Sequence, residues 1–434
     1  MRYVASLIGV VVLIGVAWLL STDRKAVRGP VVFWGLGLQA VLALSVLGIP
    51  ALEVPGVLRF VFDYANDGIM ALLAFTDKGS QFVFGDLANS NKLGFIFAFQ
   101  VLPTIIFVAS FMSILYHLGF MQIIVHGIAY IMQRVLGTSG AESLSVAANI
   151  FVGQTEAPLV IRPYLEKLTR SELFAVMTGG MATVAGGVMA AYVGLLKDTI
   201  PDIAGHLLTA SVMSAPAALA ISKIMFPEKE IPETLGDVPK TPAENREHHN
   251  IIEAAASGAA EGLKLALNVA AMLLAFIALI AAVDALLGVI GGWTQFSNWG
   301  KDLVPKLLQT NSDPKLSLSL VLGWFFAPLA WVMGIPWEEA GLAGALLGEK
   351  IILNEFVAYL HLSQVMAHIS ERTTIILSYA LCGFANFSSI AIQLGGIGAL
   401  APSRRRDLAE LGIRSVIGGS LAAFLTATIA GLLI

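Results

Sequence analysis

Apolar residues run along this chain in blocks near the 20 or so needed to cross a bilayer, separated by short polar clusters. The stretches 2–21, 31–53, 93–117, 171–197, 203–226, 259–291, 338–362, 372–400 and 412–433 are each expected to span or enter a membrane. The segments 55–75, 119–137, 139–168 and 293–335 have shorter or more interrupted apolar runs, the pattern of interfacial helices and re-entrant hairpins. One long polar run, Pro227–Asn250, divides the chain into halves of similar grammar. The first half holds a hairpin candidate around NIFVGQTEAPLVI, a glycine-broken helix VMTGGMATVAGGVMAAYVGL and an apolar helix. The second repeats the order with KIILNEFVAYL, ALCGFANFSSIAIQLGGIG and a last apolar helix. Interrupted segments at matching places in two halves point to a secondary transporter with its site near the midplane.

Composition fixes the class. Of 434 residues, 57% are hydrophobic and 13% charged, against about 25% charged in soluble proteins. The chain therefore reads as an all-α polytopic membrane protein in the lipid bilayer. A net charge of -4 implies no nucleic-acid partner, and the single Cys382 permits no internal disulfide. The opening run RYVASLIGVVVLIGVAWLL is longer than a signal-peptide core and is followed by Arg24, Lys25 and Arg28, so a retained helix with its N-terminus outside is expected. The positive-inside rule then places four basic clusters on the inner side: that first loop, Arg162–Arg170, the linker beside Lys223, and Arg404–Arg406. The polar stretch Thr76–Asn91 falls outside. This topology closes only if 139–168 and 338–362 are hairpins rather than single crossings.

The candidate chemistry sits at the interruptions. In GQTEAP, Pro158 suits the first turn of a helix, with Thr155 a candidate cap and Glu156 in the first turn. The sequence predicts one half-helix ending near Val152, a bend at Gly153 and a second half-helix from Thr155. A charged carboxylate at the centre of a membrane helix costs about 2.5–3.5 kcal/mol, so Glu156 is expected to meet water, a cation or a substrate, unless helix ends satisfy it structurally. Glu355 in LNEFVAYL repeats the pattern, with an internal ion pair to Lys350 beside Glu349 as its structural alternative. Asn386 and Ser389 share a helical face and offer both donors and acceptors; helix–helix hydrogen bonding is their bland role. Asn149, Thr183 and freed carbonyls at Val152 and Val184 form an all-oxygen set that suits a hard cation. No HExxH, GxSxG or phosphate-binding loop occurs, and the seven histidines show no ligand spacing. No enzyme is expected.

GQTEAPLVIRPYL, MTGGMATVAGGVMAAYVG, LNEFVAYL and CGFANFSSIAI, in this order, resemble the concentrative nucleoside transporter family, and the likeness covers nearly the whole chain. The resemblance, to bacterial sodium-coupled members, implies a homotrimer in the inner membrane. Each protomer would have eight transmembrane helices, two opposed re-entrant hairpins and an elevator-like movement. It implies scaffold helices and an interfacial helix in 1–118, a first transport half in 119–226, a cytoplasmic linker in 227–257, a scaffold helix and external segment in 258–336, and a second transport half in 337–434. Gln154, Thr155 and Glu156 would contact the nucleobase of a uridine-like substrate, with Gly153 and Val188 shaping its pocket. Glu355, Asn386 and Ser389 would hold the ribose and Phe384 would pack against the nucleoside. Asn149, Val152, Thr183 and Val184 would bind sodium, although Thr183 stands where Ser is familiar. The alternatives are proton coupling or another small polar solute; a channel or a membrane-embedded enzyme represents other classes.

Overall fold

The computed structural model describes residues 2–48, 54–197, 200, 202–239, 249–300 and 315–434. The end of the predicted stretch 31–53, the middle of the linker and part of 293–335 lie outside the described residues. Within them all regular structure is helical, and an antiparallel bridge between Ser139 and Leu235 is isolated. The helices used below are α1 (Arg2–Leu19), α2 (Gly29–Leu47), α3 (Arg59–Phe84), α4 (Leu102–His117), α5 (Phe120–Leu136), α6 (Gly140–Ala148), α7 (Arg170–Ala182) and α8 (Gly186–Leu196). They continue as α9 (Ile203–Met225), α10 (Ile251–Trp293), α11 (Leu318–Val332), α12 (Trp337–Ile352), α13 (Glu355–Val365), α14 (Glu371–Leu381), α15 (Phe387–Leu400) and α16 (Arg405–Leu433).

Three boundaries differ from the sequence reading. The polar stretch Thr76–Asn91 is not a loop throughout, because α3 runs to Phe84. Its Leu73, Thr76 and Ser80 recur at helical spacing on a buried face, while Asp77 and Lys78 face outward. The linker ends early: Asn250 caps α10 by accepting from the Glu253 N–H at 2.9 Å, so the helix takes over its last residues. The segment 293–335 contains a full apolar helix, α11, bent by 117° against α12.

Six helices are long and apolar enough to cross a membrane among the described residues, and seven if the bent pair counts as one span. Burial sorts them. Ile203–Met225 is 89% buried along its most apolar window, and Arg170–Leu196 and Pro402–Leu433 are 83% buried. Phe97–His117 and the 43-residue Ile251–Trp293 are 22% and 6% buried. The core is therefore α7, α8, α9 and α16, with α10 at the edge against α4. Gly258 and Gly262, four apart, make that contact: a Cβ on Gly258 would lie 2.6 Å from Ser113 Cβ. Helices α1 and α2, expected among the scaffold helices, also touch the core. Gln39 donates to the Thr426 hydroxyl at 2.7 Å, and a Cβ on Gly35 would lie 2.6 Å from Ala220 Cβ.

The polar ends of the helices are tied into two groups. Lys229 pairs with Asp23 at 2.8 Å, which holds the Asp23 carboxyl below its ordinary value. Lys167 pairs with Glu233 at 3.1 Å, Arg170 with Glu410 at 2.7 Å, and the Arg404 guanidinium donates to the Glu166 carbonyl. The four basic clusters therefore share one face, as the charge pattern predicted. Both ends of 139–168 meet that face: the Gly140 N–H donates to Thr234 O at 2.9 Å, and the Thr169 hydroxyl to Glu228 at 2.7 Å. The ends of 338–368 meet each other elsewhere. Ser370 donates to Glu339 through its N–H (3.0 Å) and hydroxyl (2.9 Å), and neighbouring Arg372 donates to the Gly431 and Ile434 carbonyls. Arg170 thus reaches the first turns of the 29-residue α16 and Arg372 its last, about 32–36 Å apart along the axis.

Candidate functional site

Four helix breaks converge between these ends. They lie at 149–156, 183–185, 353–354 and 382–386. On the basic face, Ser139 and Thr169 start α6 and α7 with full capping boxes to Glu142 and Glu172. Asn354 and Asn386 start α13 and α15, their side-chain oxygens each accepting a backbone N–H at 2.9 Å, from Val357 and Ser389. Glu355 thus falls in a helical first turn, where the partial positive charge of the N-terminus favours a carboxylate. The first hairpin candidate differs from the expected pair of half-helices. α6 stops at Ala148, residues 149–156 form a turn, and the return arm Ala157–Lys167 is a 3-10 segment interrupted at Ile161 and containing Pro163. Pro158 and Pro163 remove two backbone donors, which prevents a continuous α-helical ladder. Thr155 does not cap this arm; its hydroxyl donates to the Glu156 carboxylate at 2.8 Å.

The structure brings Gln154, Glu355, Asn386 and Ser389 into one buried chain of hydrogen bonds. Gln154 Nε2 donates to Ser389 Oγ (3.0 Å), and the Ser389 N–H donates to Asn386 Oδ1. Asn386 Nδ2 donates to Glu355 Oε2 (2.9 Å), and the Tyr192 hydroxyl donates to Glu355 Oε1 (2.8 Å). The first hairpin tip and the second half's two breaks are therefore connected directly. Thr155 also reaches the second half by packing, since a Cβ on Gly396 of α15 would lie 2.5 Å from its methyl carbon. Glu156 is exposed and makes no bond to the second half, and Gly153 lies beside it, where a Cβ would sit 2.2 Å from Glu156 Oε2. Val188 is buried on α8 and Phe384 half-buried.

The residues expected to hold an ion lie on two adjoining breaks. The Gly186 N–H donates to Phe151 O at 3.0 Å, which holds the 149–156 turn against the break between α7 and α8. Asn149 is buried; its Nδ2 donates to Ser145 O at 3.1 Å, and its Oδ1 has no hydrogen-bond partner. An amide oxygen buried without a donor is costly unless a cation or water meets it. No hydrogen bond among the described residues engages the Val152 or Val184 carbonyl. Thr183 is buried and donates its hydroxyl to Gly179 O at 3.1 Å, keeping oxygen lone pairs available. These oxygens fit a hard monovalent cation better than a softer metal.

The structural alternative for Glu355, a direct ion pair with Lys350, does not form. Glu349 pairs with His361 at 2.8 Å and accepts from Ser319, while Lys350 points elsewhere and donates to Ala380 O at 2.7 Å, at the end of α14. Its ammonium also lies 5.5 Å from the Phe424 ring. Two residues of the chain were missed. Tyr192 lies four residues after Val188 on α8, and Gln393 four after Ser389 on α15. Helical spacing was the available signal for both. Gln393 is fully buried and donates to Gln154 Oε1 and Met177 O, both at 3.0 Å.

A helical membrane protein whose polar site is assembled from chain breaks in two repeated halves has the construction of a transporter. Comparison with known proteins makes this specific. The family model for the Na+ dependent nucleoside transporter C-terminus matches residues 206–431, and that for its N-terminus residues 8–87. A nucleoside recognition model, Gate, matches residues 98–199. An uncharacterized transporter of Haemophilus influenzae is 44% identical, over 100% of this chain and 98% of its own length. Sodium/nucleoside cotransporter 1 of Rattus norvegicus is 42% identical over 95% of this chain, which spans 61% of that relative. The structure of CNTnw in an inward-facing substrate-bound state aligns with a TM-score of 0.87 and 43% identity, covering 100% of this chain and 98% of the other. The chain belongs to the Na+ dependent nucleoside transporter family, which is a family of carriers and not of enzymes.

Proposed function

We propose that the protein imports nucleosides by symport with sodium, through an elevator-like movement of its inner helices. The observation that carries this reading is the buried chain from Gln154 through Ser389 and Asn386 to Glu355, which spans both halves and leaves donors and acceptors for a polar ligand. Glu355 and Asn386 take the ribose hydroxyls, since each carboxylate oxygen has a lone pair beyond its present bond. Gln154, Thr155 and Glu156 face the nucleobase, Gly153 and Val188 shape its pocket, and Phe384 packs against the nucleoside. A site that hydrogen-bonds hydroxyls rejects analogues lacking them, because its buried polar groups are then left unpaired.

Sodium binds at Asn149, Val152, Thr183 and Val184, where the unpartnered Asn149 Oδ1 supports the assignment. The ion steadies the 149–156 turn that also carries Gln154. Sodium and nucleoside therefore raise each other's affinity, as linkage requires. The segments 139–168 and 338–362 act as opposed re-entrant hairpins, a reading supported by the meeting of their ends on opposite ends of α16. Eight helices cross the bacterial inner membrane. The transport halves 119–226 and 337–434 move together with α1 and α2, which pack on them. The scaffold is α4 and α10, whose exposed apolar face forms the homotrimer. Solved states of CNTnw variants labelled outward-facing and intermediate fit alternating access.

Nucleoside affinity of the purified protein, measured by titration with and without sodium, tests the coupling. Affinity rises with sodium on this account; equal affinity in both conditions would remove it.

A further inference from the structure

We infer that Gln393 sets the orientation of the Gln154 amide, so that the site reads a hydrogen-bond acceptor on the nucleobase. The inference rests on the reading of this site as a nucleoside site and adds which atoms of the base are selected. Its anchor is a backbone carbonyl. Met177 O can only accept, so the Gln393 group facing it at 3.0 Å is the NH2. The same Nε2 lies 3.0 Å from Gln154, which must then present its oxygen to Gln393. The Gln154 NH2 is thereby turned toward the site, where it donates to Ser389 Oγ. A second backbone group fixes the other end of the chain. The Ser389 N–H can only donate, so Asn386 presents Oδ1 to it and Nδ2 to Glu355. Neither amide is free to flip while these partners hold.

The packing leaves little room for another arrangement. Gln154 and Gln393 are both buried, and both press on Gly180 of α7. A Cβ there would lie 2.9 Å from Gln154 Cβ and 2.9 Å from Gln393 Nε2. Ser389 Oγ occupies the Gln154 donor. A nucleoside that replaces it must offer an oxygen or an unprotonated nitrogen at that position. An amino group there meets a donor with a donor and leaves both unpaired. Gln393 touches no part of the ligand face on this account; it acts through Gln154 as a positioning residue.

The test is competition of labelled uridine uptake by uridine, 2-thiouridine, 4-thiouridine, cytidine and isocytidine, using wild-type protein, Gln393→Glu and Gln393→Leu in proteoliposomes. Sulfur weakens one carbonyl acceptor at a time, and the two amino bases replace oxygen by NH2 at position 4 or 2. In the wild type, weakening the acceptor read by Gln154 lowers competition about tenfold, and the matching amino base is poorer still. In Gln393→Glu the donor that held Gln154 Oε1 is gone and an ionised carboxylate is repelled by the Met177 carbonyl; it accepts from Gln154 instead, the amide turns over, and that amino base gains over uridine. In Gln393→Leu the amide is unanchored and the thio penalty falls below about twofold. The loss on 3′-deoxyuridine stays the same in all three proteins, which separates a turned amide from a damaged fold. Where a variant does not transport, competition binding to the purified variant gives the same reading. An unchanged base ranking in both variants overturns the inference, as does a wild type indifferent to both thio substitutions. A wild type that neither takes up nor binds uridine defeats the nucleoside reading itself.

Discussion

At the scale of single residues, the candidate site is a chain of polar groups that largely satisfy one another, with Gln393 Oε1 left without a partner. Glu355 accepts from Tyr192 and Asn386, so Glu355→Gln puts an NH2 where one of these donors must point. Uridine uptake at subsaturating concentration should fall at least about tenfold, since hydrogen bonds to charged groups contribute about 1.5–3 kcal/mol. Uptake within twofold of wild type would exclude Glu355 from the site. Asn149→Ala removes the unpartnered Oδ1 and should raise the sodium concentration for half-maximal uptake about tenfold or more, measured at saturating uridine. An unaltered sodium dependence would take the ion elsewhere. Glu355, Asn386 and Ser389 were legible in the sequence because a carboxylate and two polar neighbours in apolar helices stand out against their cost. Gln393 and Tyr192 were not, because a glutamine and a tyrosine at helical spacing have many uses and only the fold brings them to Gln154 and Glu355. The reach of Lys350 was equally hidden: its sequence neighbour Glu349 turns to His361, and its partner, the Ala380 carbonyl, lies 30 residues away.

At the scale of elements, breaks matter more than helices. Their positions were legible from glycine-broken runs and from polar residues interrupting apolar ones. Their shapes were not. Asn354 and Asn386 cap helices although no cap was expected of them, whereas Thr155, the expected cap, bonds Glu156 as the return arm after Pro158 becomes a 3-10 segment. Asn354→Ala removes the acceptor for the Val357 N–H and should lower stability by about 1 kcal/mol, read from thermal unfolding in detergent, with a matching loss of uptake because Glu355 is the next residue. No loss of either would mean that the α13 start is held by other contacts. The α4–α10 contact makes the opposite prediction. Gly258→Leu forces a side chain into Ser113 and the Ala109 carbonyl, 2.6 and 2.8 Å from the added Cβ, and should cost about 1–3 kcal/mol. Because neither helix carries a residue of the polar chain, nucleoside affinity of the folded variant should stay within about twofold. A larger affinity loss would tie α10 to the site.

At the scale of the whole molecule, the charge pattern was the most informative part of the sequence. It placed four basic clusters on one side, and ion pairs such as Lys229–Asp23 and Arg170–Glu410 join those clusters in the fold. Hydropathy alone could not tell which helices belong to the core, since an apolar helix facing lipid and one facing protein read alike. The contacts of α2 had to come from the fold, where Gln39 and Gly35 tie it to α16 and α9. The polar chain between the halves and the orphaned amide oxygen of Asn149 together make one claim: a sodium gradient drives nucleoside across the membrane. The direct measurement is uptake of labelled uridine into proteoliposomes under an imposed sodium gradient, or an imposed proton gradient without sodium. The account predicts transient accumulation above the external concentration with inward sodium and none with protons alone. Accumulation driven by protons without sodium, or mere equilibration under both gradients, would contradict it.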